Sequence, residues 1–366
     1  MNKNNSKESN TKEKSFLPLG KLKLDLLKEI FTAYNSPEIM NLLESSPFKN
    51  NYKSSKERVK LGFAIGEDAA VIDVGEKYLI LKTDPITFTT DEIGYYVVNV
   101  NANDVVSMGA IPRWFQVTIL LPPNKTTSTM AKKICLDIQK CCLKMGILLV
   151  GGHTEVTYGL ERPIVIGSMF GEVDKKNLVL TSGAKSGDAL VLTKGVPLEG
   201  TSIIAREKEA ELHKNGISKE KIERSKELLH NPGISVLKEA LLATKHFNIH
   251  SMHDPTEGGL AMGLVEMAKA CDCGFLVEKE KIPIIPEGEI LCSIYDLDPL
   301  QVISSGALLI ALEDNDSDSL IRLLRKNDII ASKIGVLTEH KKYQIKAGNK
   351  IKEIEYSETD QLTKIL

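Results

Sequence analysis

No apolar run in this 366-residue chain approaches the roughly 20 residues a helix needs to cross a bilayer, so no transmembrane helix is expected. An excess of either charge is also missing. The 47 basic and 49 acidic residues give a net charge of −2, which offers neither a nucleic-acid footprint nor a basic membrane face. The first fourteen residues lack the apolar stretch of a secretory signal, and that makes the cytoplasm the default expectation. Cysteines are few, at 135, 141, 142, 271, 273 and 292. Cys271 and Cys273 do not have metal-finger spacing, and no second pair supplies further ligands. Cys135 and Cys142 stand seven apart on an expected helix, so buried, inert thiols in a reducing compartment are predicted. No repeat of solenoid period is present.

What is present reads as two domains, each long enough to bury a core, in a chain of 42% hydrophobic and 26% charged residues. Residues 1–15 carry the composition of a disordered tail. An N-terminal helical segment spans 16–60; its first helix follows Gly20, with Leu24, Leu27, Ile30 and Phe31 at helical spacing. Residues 45–60 are polar and predict a mobile connection. A first domain over 61–175 alternates strand and helix. Runs at 69–73 and 78–83 form a hairpin about Gly75, and a helix capped by Asp91 runs to Met108 and stops at Gly109. A strand over 114–121 ends at Pro122, an amphipathic helix covers 129–145, a buried strand at 147–150 enters Gly151-Gly152, and another strand covers 164–170. These units argue for an α/β sandwich with one open sheet face. A second α/β domain, 176–345, has strands near 189–193, 275–277, 307–312 and 333–337. Helices near 201–212, 219–230, 235–246, 257–271 and 316–327 alternate with them, and 346–366 is a C-terminal extension.

Polar clusters punctuate the ends of these elements: Gly66-Glu67-Asp68-Ala69-Ala70, Thr83-Asp84, Asn103-Asp104, Gly151-Gly152-His153-Thr154-Glu155 and His253-Asp254-Pro255-Thr256-Glu257-Gly258-Gly259. Carboxylates converging on one place repel unless cations hold them, and hard oxygen ligands suit Mg²⁺ together with substrate phosphates. Each cluster also has a local reading. Asp68 suits a turn or a helix cap, Asp84 before Pro85 suits a turn, and Gly151-Gly152 suits a tight strand exit or a close approach to phosphate. Asp254-Pro255 suits a helix start with proline at its first position. Asn99, Asn101, Asn103 and Asp104 together suggest a polar pocket.

The order of the clusters is the specific signal. It resembles the superfamily of aminoimidazole ribonucleotide synthetase, selenophosphate synthetase, thiamine-monophosphate kinase and the hydrogenase maturation factor HypE, whose members read G-[DE]-D-A-A, T-D, [NS]-D-x-x-x-M-G-A-x-P and G-G-x-T. The third pattern matches Asn103-Asp104-Val105-Val106-Ser107-Met108-Gly109-Ala110-Ile111-Pro112. The resemblance spans roughly residues 62–340 and implies a two-domain, synthetase-like fold of the α/β (α+β) class. In that fold the N-terminal domain pairs into a dimeric β-barrel and the C-terminal domain is an α/β sandwich. It further implies ATP and Mg²⁺ as cofactors, with Asp68, Asp84 and Asp104 as metal ligands. Thr83, Asn103, Gly151 and Gly152 would lie beside the nucleotide. His153, Glu155, His253 and Asp254 are unranked catalytic candidates.

The second half resembles the HypE branch most closely, through Asp254-Pro255-Thr256-Glu257-Gly258-Gly259-Leu260-Ala261, Leu297-Asp298-Pro299-Leu300 and Ala205-Arg206-Glu207. That branch dehydrates a thiocarbamate carried on a C-terminal cysteine, whereas the last cysteine here is Cys292. The expectation is therefore a paralogue with the ATP site kept and a different acceptor, a carboxamide or another small molecule. Selenophosphate synthetase needs a reactive residue in an N-terminal loop, and no cysteine precedes Cys135. The kinase pattern has an acid where His153 stands. A homodimer and a maturation partner protein are expected, and a non-catalytic, ATP-gated module is the alternative of a different class.

Overall fold

Alternating apolar residues on either side of Gly75 fold into the expected hairpin, which seeds the first of two sheets. The computed structural model describes residues 17, 19–64 and 66–366, so the expected tail over 1–15 lies outside the described residues. Strands β1 (Val59–Leu61), β2 (Ala70–Asp73), β3 (Lys77–Ile86), β4 (Ile111–Leu121), β5 (Leu148–Val156) and β6 (Ile164–Asp174) form a sheet in the order β1-β2-β3-β6-β4-β5. Only β4 and β5 pair in parallel, and the helix Ser128–Met145 supplies the crossover that a parallel pair requires. Edges remain at β1 and β5, so within one chain the sheet is open.

The helix Ile93–Ser107 packs against this sheet and is buried almost along its whole length, as expected of a helix with apolar residues all round. It stops where predicted, at Gly109, whose φ is 73° and where a Cβ would meet Asn177 O at 2.5 Å. Asp91 does not cap it. Glu92 occupies the cap position, and the Asp91 carboxylate instead pairs with Arg206.

The second sheet contains β7 (Ala189–Thr193), β8 (Ile249–His253), β9 (Gly274–Glu278), β10 (Leu309–Leu312), β11 (Ala331–Thr338), β12 (Tyr343–Ala347) and β13 (Lys350–Glu353), ordered β13-β12-β9-β11-β7-β10-β8. It is covered on both faces. Leu190 and Leu192 of β7 pack with the helix Gly259–Ala270, while Ala189 and Val191 face a second core with Ala240 and Leu320. The architecture is a mixed α/β fold of two domains.

Several expectations are corrected. The strand expected to be buried at 147–150 is the start of an exposed edge, with Leu148 61% and Val150 46% exposed. Residues 45–60 hold the helix Lys49–Glu57 and most of β1 rather than a mobile connection. The final residues are integral to the fold, since β13 joins the second sheet and Leu362 is fully buried. Cys142 is buried as predicted, but Cys135 is exposed. No helix among the described residues is long and apolar enough to cross a membrane.

Candidate functional site

The local geometry of each polar cluster explains what reaches the space between the sheets. Gly66 (φ 83°) passes so close to the helix Gly259–Ala270 that a Cβ would meet Glu266 O at 2.9 Å. Glu67 then clamps the second domain, accepting from the Thr181 and Ser182 backbone N–H groups at 2.9 and 3.0 Å. This leaves Asp68 to point into a cleft of 580 Å³ that also takes Asp84 and Asp104 from the first domain and His253 and Asp254 from the second. Strand β3 has a two-residue period, so Lys82 and Asp84 share a face and Thr83 takes the other. The glycines of Gly258-Gly259 permit close packing, because a Cβ on Gly259 would meet Leu300 O and Val302 O at 2.6 Å. The helix proposed to start at Asp254-Pro255 begins later, at Gly259, which frees Asp254 from any capping role.

Asp68, Asp104 and Asp254 each place a carboxylate oxygen within 4.8 Å of the others, and all three are buried. Asp68 Oδ2, Asp104 Oδ2 and both oxygens of Asp254 have no hydrogen-bond partner among the described residues. Lys82 Nζ lies 3.3 Å from both Asp84 Oδ2 and Asp104 Oδ2. His253 bridges two acids, with Nδ1 2.7 Å from Asp68 Oδ1 and Nε2 3.1 Å from Glu266 Oε2. Burial alone would lower the His253 pKa, but Asp68 and Glu266 outweigh it and hold it well above the ordinary value. Burial, with Asp68 beside it, pushes Asp254 up to about 8. Asp104 is likewise raised by burial, against the opposing pull of Lys82.

Buried carboxylate oxygens without donors are costly, and three such carboxylates on one point repel. An all-oxygen donor set of this kind fits a hard divalent cation such as Mg²⁺ and not a thiolate- or imidazole-seeking metal. Asp68, Asp104 and Asp254 would hold it, with Asp84 alongside Lys82.

The other sequence candidates lie elsewhere. Thr83 Oγ1 donates to Gly167 O at 2.7 Å, across to β6. Asn103 ties the domains together, donating to Ile234 O at 2.8 Å and accepting from Val236 N–H at 2.9 Å. Asn101 accepts from the Asp84 N–H and donates to Val97 O, while Asn99 donates to Tyr95 O. The expected polar pocket of asparagines is therefore three separate satisfactions of backbone groups. Gly151, Gly152, His153 and Glu155 all sit on the exposed strand β5, away from the residues lining the cleft. A Cβ on Gly152 would meet Val117 O at 2.0 Å, so its pairing with β4 alone requires glycine. His153 Nε2 is 3.2 Å from Glu155 Oε2, an exposed pair.

The sequence reading missed Lys82, Lys21, Glu199 and Glu266, all of which line the cleft. Strand alternation could have found Lys82, two residues before Asp84. Nothing local marks the others.

These features define a two-domain protein whose buried carboxylates and lysines meet in an interdomain cleft. Residues 66–173 match the family described as AIR synthase related protein, N-terminal domain, and residues 185–348 match its C-terminal domain. The chain belongs to the AIR synthase related family. It is 25% identical over 281 residues to the carbamoyl dehydratase HypE of Cupriavidus necator, covering 74% of this chain and 76% of that protein. It is 26% identical over 324 residues to the thiamine-monophosphate kinase of Buchnera aphidicola, covering 84% and 93%. The crystal structure of the hydrogenase maturation protein HypE in complex with ATP superposes with a TM-score of 0.66 at 20% identity, covering 90% of this chain and 98% of that one.

Proposed function

We propose that this protein is an ATP- and Mg²⁺-dependent enzyme that transfers the γ-phosphate of ATP to the oxygen of a carboxamide or another small molecule. The observation that carries this reading is the set of orphaned carboxylate oxygens of Asp68, Asp104 and Asp254 in a cleft large enough for a nucleotide. A bound Mg²⁺ would neutralise charge on the phosphate chain. Lys82 and Lys21 line the same cleft and add positive charge where anionic oxygens must sit. His253, held between Asp68 and Glu266, fixes the Asp68 carboxylate in place. The relatives are a dehydratase and a kinase, so the phosphoryl group either leaves again or stays on the product.

The exposed edge at β5, with Leu148, Val150 and Val156 on it, supports a homodimer in which two open sheets close into a shared barrel. Gly151, Gly152, His153 and Glu155 then reach a nucleotide only through such a partner copy. Likeness to hydrogenase maturation proteins supports a maturation partner. Buried free thiols, Cys141, Cys142 and Cys292 among them, suit a reducing cytoplasm.

Phosphate release from Mg-ATP by the purified protein, alone and with candidate acceptors, tests the reading. Turnover that depends on one acceptor supports it, and a product that keeps the phosphoryl group assigns the kinase form. Tight ATP binding without turnover against every acceptor would favour a nucleotide-gated module instead.

A further inference from the structure

Lys82 lines the cleft and also pairs directly with two of its acids, a contact that a role toward anionic oxygens does not account for. Its side chain is 21% exposed, and it stands between two acids of very different burial, Asp84 at 30% exposed and Asp104 at 4%. The backbone fixes this arrangement from two sides. Strand β3 presents Lys82 and Asp84 on one face, and Asn101 accepts from the Asp84 N–H at 2.9 Å, locking the strand to the helix that carries Asp104. The ammonium is thus 3.3 Å from one oxygen on each acid, a bridging position between two carboxylates. Asp104 Oδ2, although close to the lysine in charge, lacks a hydrogen bond among the described residues, and Asp104 places a carboxylate oxygen within 4.8 Å of Asp68 and Asp254.

The four aspartates therefore fall into two sets. Asp84 and Asp104 are bridged by a lysine, while no cation among the described residues bridges the converging oxygens of Asp68, Asp104 and Asp254. An ammonium is a compact point charge, and two carboxylates at this spacing would otherwise attract a second divalent ion. We propose that Lys82 is a resident cation that takes the place of one divalent ion, so that the empty chain holds a single such ion, on Asp68, Asp104 and Asp254. The inference rests on the cation site proposed above and adds its stoichiometry.

Mn²⁺ alone, titrated without nucleotide and followed by the loss of the free-ion electron paramagnetic resonance signal, counts the ions. The expected result is one Mn²⁺ per wild-type chain, two for Lys82→Met, and one again for the double variant Lys82→Met with Asp84→Asn, where both charges are gone. Melting curves accompany the titration, because Lys82→Met leaves two acids facing each other. Mn²⁺ should raise its melting temperature more than that of the wild type. If Lys82→Met does not fold without Mn²⁺, Lys82→Gln, which keeps a hydrogen-bond donor, is counted in its place with the same expectation. An unchanged count of one in these single variants, or a count of two in the wild type, overturns the resident-cation role and leaves the cation site standing. A wild-type count of zero removes the cation site itself, and the inference falls with it.

Discussion

Two clusters in this molecule contain a buried aspartate, a buried histidine and further acids, and they behave in opposite ways. In the second domain Asp188, His250 and Glu313 each place a possible ligand atom within 4.8 Å of the others. There His250 Nδ1 lies 2.9 Å from both Asp188 oxygens, and the Lys185 N–H donates to Asp188 Oδ2 at 2.8 Å. Neither Asp188 nor His250 has an orphaned atom. In the cleft, Asp68 is half satisfied by His253, and neither Asp254 oxygen has a hydrogen-bond partner among the described residues. Acids near a histidine do not mark a ligand site. Unsatisfied oxygens beside an open volume do, since a folded chain otherwise pairs its buried polar groups.

The comparison breaks most visibly under ligand. Mg-ATP at a hundred times its Kd should stabilise the wild-type protein by about 2.7 kcal/mol, and Asp254→Asn should lose most of that gain in melting experiments. The next largest effect falls on the paired cluster. Asp188→Asn should cost about 2 kcal/mol of stability, because His250 loses its charged acceptor, while nucleotide affinity stays the same. A denaturant titration set beside a binding isotherm reads both quantities. An Asp188→Asn protein that lost nucleotide affinity without losing stability would erase the distinction drawn between the clusters.

Much of this contrast was out of reach of the sequence for identifiable reasons. The hairpin about Gly75, the Gly109 stop and strand β7 follow from local alternation and turn chemistry, and they were read. Strand β8 was not, because its His250, Ser251 and His253 hide a strand that is buried throughout. Strand β12 was not read either, and β13 fell in the expected extension because it is exposed and lysine-rich. Within the site, Asp68, Asp84, Asp104, His253 and Asp254 were legible from the order of motifs. That Asp254 joins Asp68 and Asp104 depends on contacts across about 150 residues of chain or more, which no local pattern encodes. Thr83 and Asn103 sit inside the motifs yet serve neighbouring backbone, so a motif position and a ligand position are different things.

Smaller effects sharpen the boundary of the cleft. Asp84→Asn should weaken Mg-ATP about tenfold, roughly 1.4 kcal/mol, because Lys82 then leans on Asp104 alone. His153→Ala should change stability by less than ~1 kcal/mol, as for exposed ion pairs generally, when measured by thermal melting of dilute protein. A larger loss that grows with protein concentration would assign His153 to the interface between copies.

Calorimetric titration of Mg-ATP into wild type and Asp104→Asn tests the central claim most directly. The amide keeps the side chain's shape and one acceptor oxygen but removes the charge that faces Asp68 and Asp254. The account predicts at least a tenfold loss of affinity in a variant whose metal-free melting temperature is equal to or above the wild type's, since like-charge repulsion is relieved. Unchanged affinity would contradict it and return Asp104 to the role of a buried partner for Lys82.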